Sequence, residues 1–160
     1  MQHDIKSKSR PHVKKDAKDS QKDEREEVKY SKKLKKSLLK IKTFLGVLNC
    51  SGLQEALIKL EKFCFIYYYQ KRYIAVHVDK RKIEIFDPFG FTKTEQSSEL
   101  IKFIKAHSTN RKLVFNNFSN FSCHSALTCK LFLVLRNLST SFNKTVTNVN
   151  ACTNKLISNR

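Results

Sequence analysis

One hundred and sixty residues suit a single domain of ordinary size, and 32 Lys plus Arg against 14 Asp plus Glu leave a formal charge of +18 that favours polyanionic partners without specifying a fold. With 40% hydrophobic residues, 3 Gly, 2 Pro and 5 Cys, the chain is neither collagen-like, nor a low-complexity linker, nor a disulfide-dense miniprotein, and no uncharged apolar run reaches the roughly 18 residues of a spanning helix. The opening MQHDIKSKSR lacks the apolar stretch of a secretory signal, which predicts an intracellular protein with reduced thiols.

Residues 1–31 carry almost no apolar side chains and mix Lys with Asp and Glu, a composition that cannot bury enough surface to offset the entropy of ordering. They read as a basic, largely disordered arm ending near residue 37. At its end, Lys32, Lys33, Lys35 and Lys36 cluster in SKKLKKSLLK. Such a cluster reads as a patch for non-specific nucleic-acid binding, as a nuclear-import signal, or simply as the solvated start of a helix.

The folded part is expected over residues 38–140. In LQEALIKL, Leu53, Ala56, Leu57 and Leu60 recur at helical spacing, with Ser51 placed as a cap. The unbroken run FCFIYYY at 63–69, the stretch 73–78 and IEIF at 83–86 predict strands. Lys80, Arg81 and Lys82 form the turn of a hairpin between the last two. Asp87, Pro88 and Gly90 end that hairpin, because Pro cannot continue a ladder and Gly admits positive φ. SSELIKFIKA at 97–106 predicts a helix with Leu100, Ile101 and Ile104 on one stripe and Ser98 as cap, and RKLVF at 111–115 a short strand. SALTCKLFLVLRNL at 125–138 is apolar nearly all round, as in a helix buried mid-domain. The Asn- and Thr-rich tail over 141–160 has weak periodicity and receives no element. Helix, strands, helix, strand and buried helix in that order describe an α+β domain.

Three scattered glycines build no phosphate loop, and no pair of Cys-x-x-Cys knuckles exists for zinc. Cys123, His124 and Cys129 lack a fourth metal ligand. More informative are four stretches taken together: FLGV at 44–47, KRYIAVHVD at 71–79, IEIFDPFG at 83–90 and FSCHSALTCKLFLVL at 121–135. The series resembles the adenovirus-type cysteine endopeptidases and their relatives in large mobile DNA elements, distant kin of the ubiquitin-like-protein proteases. In that family an F-x-G-V segment precedes a strand opening H-W-x-A-x-x-x-D. A second strand ends F-D/E-x-x-G, and the central helix opens S-x-x-C-G-x-x-C-x-x-F-L. The resemblance covers residues 43–136 and implies an adenain-like, papain-like fold for 38–140, a small mixed sheet packed on a buried central helix. It also implies a viral or mobile-element origin, and no cofactor or metal.

Such a site places a Cys at a helix N-terminus beside a His that takes its proton, an acid that orients the His, and a Gln or backbone N–H for the oxyanion. Carried onto this chain, the His position falls at Arg72, whose guanidinium cannot accept a proton at neutral pH. His77 lies five residues further on, which puts it on the opposite face of a regular strand. Asp87 matches the acidic member; alone it reads equally as a turn-forming Asp before Pro. Aligning Cys129-Lys130-Leu131-Phe132-Leu133 without a gap puts Ser125 at the nucleophile, Ala126 at its Gly and Ser122 at the leading Ser. A shift of two residues makes Cys123 the nucleophile instead. The oxyanion Gln is replaced near Phe118, with Asn116, Asn117 and Asn120 as polar candidates.

Three functions follow as expectations. The resemblance implies a catalytically impaired pseudoprotease whose old cleft holds a peptide or protein partner while its basic surface meets nucleic acid. An alternative is an active cysteine endopeptidase using Cys123, with His77 or His124 and Asp87. A third, independent of the resemblance, is a small basic nucleic-acid-binding domain stacking bases on Tyr67, Tyr68 and Tyr69.

Overall fold

A computed structural model of the chain describes Lys29 and residues 32–55, 60–116, 125–138 and 141–158. The chain divides into two units, Met1–Lys33 and Leu34–Arg160. Apart from Lys29, the arm over 1–31 falls outside the described residues, whereas 32–37, expected to belong to the same disordered arm, are helical because Leu34 and Leu38 give that stretch an apolar side to bury. In the larger unit, helix α1 (residues 32–39) continues from Leu34 and inserts Leu34 and Leu38 into the core. There follow β1 (Phe44–Leu48), α2 (Cys50–Glu55), β2 (Phe63–Tyr69), β3 (Arg72–Val78), β4 (Lys82–Phe86), a 3-10 turn (Lys93–Glu95), α3 (Ser98–His107), β5 (Lys112–Phe115), α4 (Ser125–Leu138) and α5 (Phe142–Ser158).

The strands form one five-stranded mixed sheet in the order β1-β2-β3-β4-β5. Its centre is an antiparallel meander, Tyr69 opposite Arg72 and Ala75 opposite Phe86, while β1 and β5 run parallel to their neighbours at the two edges. Helices cover both faces, which is why β2 reads as a continuous apolar run rather than an alternating one. On one face Phe63, Phe65, Tyr67, Ile74, Val76, Val78, Ile83 and Ile85 pack against Leu53 of α2 and Leu100, Phe103 and Ile104 of α3. Fully burying one such aromatic or aliphatic side chain contributes about 1.5–3 kcal/mol. On the other face α4 lies along β3: the Cys129 thiol donates to the Tyr73 carbonyl (3.2 Å), and Phe132 stacks on Phe86 with centroids 4.7 Å apart.

Turn chemistry sets the register. The Asp79 carboxylate accepts from the Arg81 and Lys82 N–H groups, an Asx turn that closes the expected β3–β4 hairpin. The β2–β3 hairpin turns on Gln70 (φ 48°) and Lys71 (φ 62°), a left-handed pair in which each non-glycine residue costs on the order of 1 kcal/mol. Two helix caps differ from expectation. Asn49, not Ser51, caps α2 by accepting from the Gly52 N–H, and Ser97, not Ser98, caps α3 by accepting from the Leu100 N–H. In both cases the capping oxygen must stand three residues before the N–H that it satisfies.

The largest departure is α5, which occupies a tail that the sequence leaves unassigned. Its inner stripe is Phe142, Thr145, Val146, Val149 and Thr153, all buried at helical spacing. Thr145 and Thr153 donate their hydroxyls to the Ser141 and Val149 carbonyls one turn back. The hydroxyl is thereby satisfied within the helix and the methyl faces the core, so residues that score as polar behave as apolar ones. Phe142 seals the stripe edge-on against Phe132 of α4.

Candidate functional site

Of the residues singled out by the sequence, Arg72, Asp87 and Asn116 lie at one end of the sheet, where β3 begins and β4 ends. Arg72 opens β3 directly after the left-handed turn. Its side chain is 44% exposed, lies 3.5 Å from the Glu95 carboxylate and places its guanidinium carbon 5.0 Å above the Phe89 ring. Asp87 follows the last residue of β4 and is fully buried. Asn116, leaving β5, clamps its backbone from both sides: the Asn116 side-chain oxygen accepts from the Asp87 N–H (2.8 Å), and the Asn116 amide donates to the Asp87 carbonyl (2.6 Å). One polar candidate for the oxyanion role is therefore spent on positioning the acid.

The Asp87 Oδ1 accepts from the Phe89 N–H (2.8 Å), while Oδ2 is buried without a hydrogen bond. Burial raises the carboxyl pKa, and the Phe89 N–H, the Arg72 charge and the Gln96 side chain only partly offset it. Arg72, Glu95 and Gln96 also line an open cleft with Tyr69, Gln70 and Ile74, about 390 Å³ in volume.

Helix α4 runs in the direction of β3. Cys129 meets Tyr73, Phe132 meets Phe86, and further on Arg136 meets Glu84. Ser125, one turn before Cys129, is the first residue of α4, so the positive end of this 14-residue helix points toward the strand end that carries Arg72. Cys123 and His124 lie outside the described residues, as do Asn117, Phe118 and Asn120, and nothing is described of the Ser125 side chain.

His77 sits on the other face of β3, as its spacing from Arg72 requires, with Nδ1 3.3 Å from the Glu84 carboxylate. Its cross-strand neighbour is Cys64, but burial pushes that thiol up to about 11, against the lowering influence of its bond with Thr43. Cys129 is likewise held protonated by burial and by the Asp87 charge. Neither thiol has the lowered pKa of a nucleophile.

Sequence reasoning missed the charge buried beneath α4. Glu84 is fully buried and receives the Arg136 guanidinium in a two-pronged pair, Nε to Oε2 at 2.6 Å and a terminal nitrogen to Oε1 at 2.8 Å. Burial alone would raise the Glu84 pKa, but hydrogen bonds and charge from His77 and Arg136 prevail and bring it down to about 2. The signal that could have found it is the lone acid at an inward position of IEIF. His77, Asp79 and Glu84 present ligand atoms within 4.8 Å of one another, the spacing of a metal site. Both Glu84 oxygens are already taken by Arg136, so the guanidinium stands where a cation would bind. The three tyrosines of β2 divide between the two faces of the strand, Tyr67 and Tyr69 stacked with centroids 6.3 Å apart and Tyr68 on the other side. Tyr67 is fully buried between Cys50 and Ser97, to both of which its hydroxyl bonds, and Tyr68 leans on Tyr73 with ring centroids 4.8 Å apart.

No protein-family model matches the sequence, and a search of curated proteins finds no match. Among solved structures, the chain is similar to the central domain of an uncharacterized protein from Legionella pneumophila, with 10% identity, a TM-score of 0.36, and coverage of 72% of this chain and 89% of that one.

Proposed function

We propose that the chain is a degenerate relative of the adenovirus-type cysteine endopeptidases, with an adenain-like, papain-like domain whose cleft holds a peptide segment of a partner without cutting it. The observation that carries this reading is the company Arg72 keeps. At the position where the family has its general base stands a permanently charged guanidinium, flanked by Glu95 and Phe89 and felt by the buried Asp87, at the strand end toward which α4 points. A cation there cannot deprotonate a thiol or a hydroxyl, so chemistry at Ser125 has no activating base. The cleft walls still suit an extended peptide: Tyr69 and Ile74 offer apolar contact, and Gln70 and Gln96 offer amide hydrogen bonds.

The test is covalent labelling with a peptide vinyl sulfone, comparing the parent chain with Cys123→Ala and Ser125→Ala. The expected result is no labelling of the parent beyond that of a denatured control. Rapid labelling of the parent that Cys123→Ala alone abolishes would overturn the reading in favour of an active cysteine endopeptidase.

A further inference from the structure

Outside the cleft, the feature that the proposed function leaves unused is the concentration of lysine at α1. From Val28 to Gln54 the chain contains no Asp or Glu and seven lysines. In the larger unit, Leu34 and Leu38 anchor α1 in the core, while Lys36 on the opposite arc, Lys35 on the flank and Lys40 just past the helix end are all exposed. Successive residues of a helix project about 100° apart, so with Leu34 and Leu38 inward Lys36 points away from the core and Lys35 lies on the flank beside it. A second element contributes: partial burial and, secondarily, the like charge of Lys35 hold Lys130 of α4 below the usual lysine range.

We infer that Lys35, Lys36, Lys40 and Lys130 form one surface that binds the phosphate backbone of nucleic acid without regard to sequence. Each bound phosphate offsets repulsion among neighbouring lysines and releases condensed counterions. An anionic membrane would offer similar charge, but a helix holds to it more firmly when it also has a free apolar face. The apolar side of α1 is already committed to the core, with Leu39 (69% exposed) standing alone among the lysines.

The experiment is fluorescence anisotropy of a labelled 20-base-pair DNA duplex titrated with the full chain from 50 to 200 mM salt. The parent is compared with a variant carrying Lys35→Gln, Lys36→Gln, Lys40→Gln and Lys130→Gln. Four phosphate contacts at about 0.9 each make the expected log–log salt slope of the variant shallower by roughly 3–4 units. A triple variant keeping Lys130, in which only exposed residues change, loses about 2–3 units and guards against misfolding of the quadruple one. Lys80→Gln, at an exposed lysine paired with Glu61 at 3.2 Å, leaves the slope within about half a unit. Parent and variants with equal slopes would overturn the inference, as would a Lys80→Gln effect as large as that of any single lysine in the patch. Retention of the full chain on phosphatidylserine vesicles without any anisotropy change on the duplex would overturn it as well.

Discussion

Truncating Arg136 to Met is expected to be among the most damaging single changes outside the aromatic core. The substitution keeps an unbranched apolar stem of similar reach but leaves Glu84, fully buried, with only His77 as partner. The size follows from the carboxyl itself. His77 and Arg136 together hold its pKa near 2 instead of the ordinary 4.5, a difference that corresponds to about 3 kcal/mol at roughly 1.4 kcal/mol per pKa unit and that Arg136 shares with His77. That figure agrees with the 3–5 kcal/mol typically lost when one partner of a buried pair is removed. For a domain of this size, it is equivalent to a fall in Tm of about 10–20 °C. Urea unfolding followed by circular dichroism at pH 7 measures it. Replacing both partners, Glu84→Leu with Arg136→Met, recovers most of the loss, because no charge is then stranded. The sign with pH is also set: a carboxyl depressed in the folded state stabilises above its unfolded pKa, so the parent loses this contribution as pH falls from about 4.5 toward 2. A cost under about 1 kcal/mol for Arg136→Met, or a double variant no more stable than the single one, would refute the reasoning.

Asp87 has the opposite sign. Its raised pKa means that ionisation opposes folding, so Asp87→Asn, which keeps the oxygen that accepts from Phe89, raises the urea midpoint at pH 7 but not at pH 3, where the acid is protonated in both states. Asn116→Ala strands the buried Asp87 N–H and carbonyl together and costs about 2–4 kcal/mol in the same assay. Ser97→Ala removes the α3 cap and one partner of the Tyr67 hydroxyl, for a loss of about 1–2 kcal/mol. Timed iodoacetamide labelling at pH 8 with mass-spectrometric mapping finds Cys64 and Cys129 unmodified in the folded chain and modified in urea, because burial holds both thiols protonated.

The local elements were legible because their signals are local. The apolar run at 63–69, the hairpin turn at 80–82 and the apolar helix at 125–138 each state their structure within a dozen residues, as does the five-residue separation that puts His77 behind the strand from Arg72. Composition likewise announced a basic protein. What the chain order leaves open is every relation that depends on two elements meeting: the Arg136 side chain finding Glu84 across 52 residues, Asn116 clamping Asp87 across 29, and Lys35 facing Lys130. The helix at the C-terminal end escaped detection for a related reason. A threonine counts as polar until its hydroxyl bonds back along its own helix, and only the apolar face of α4 makes that arrangement worthwhile. Periodicity specifies which side of an element turns inward, whereas pairing specifies what waits there, and the second is a property of packed surfaces rather than of neighbouring residues.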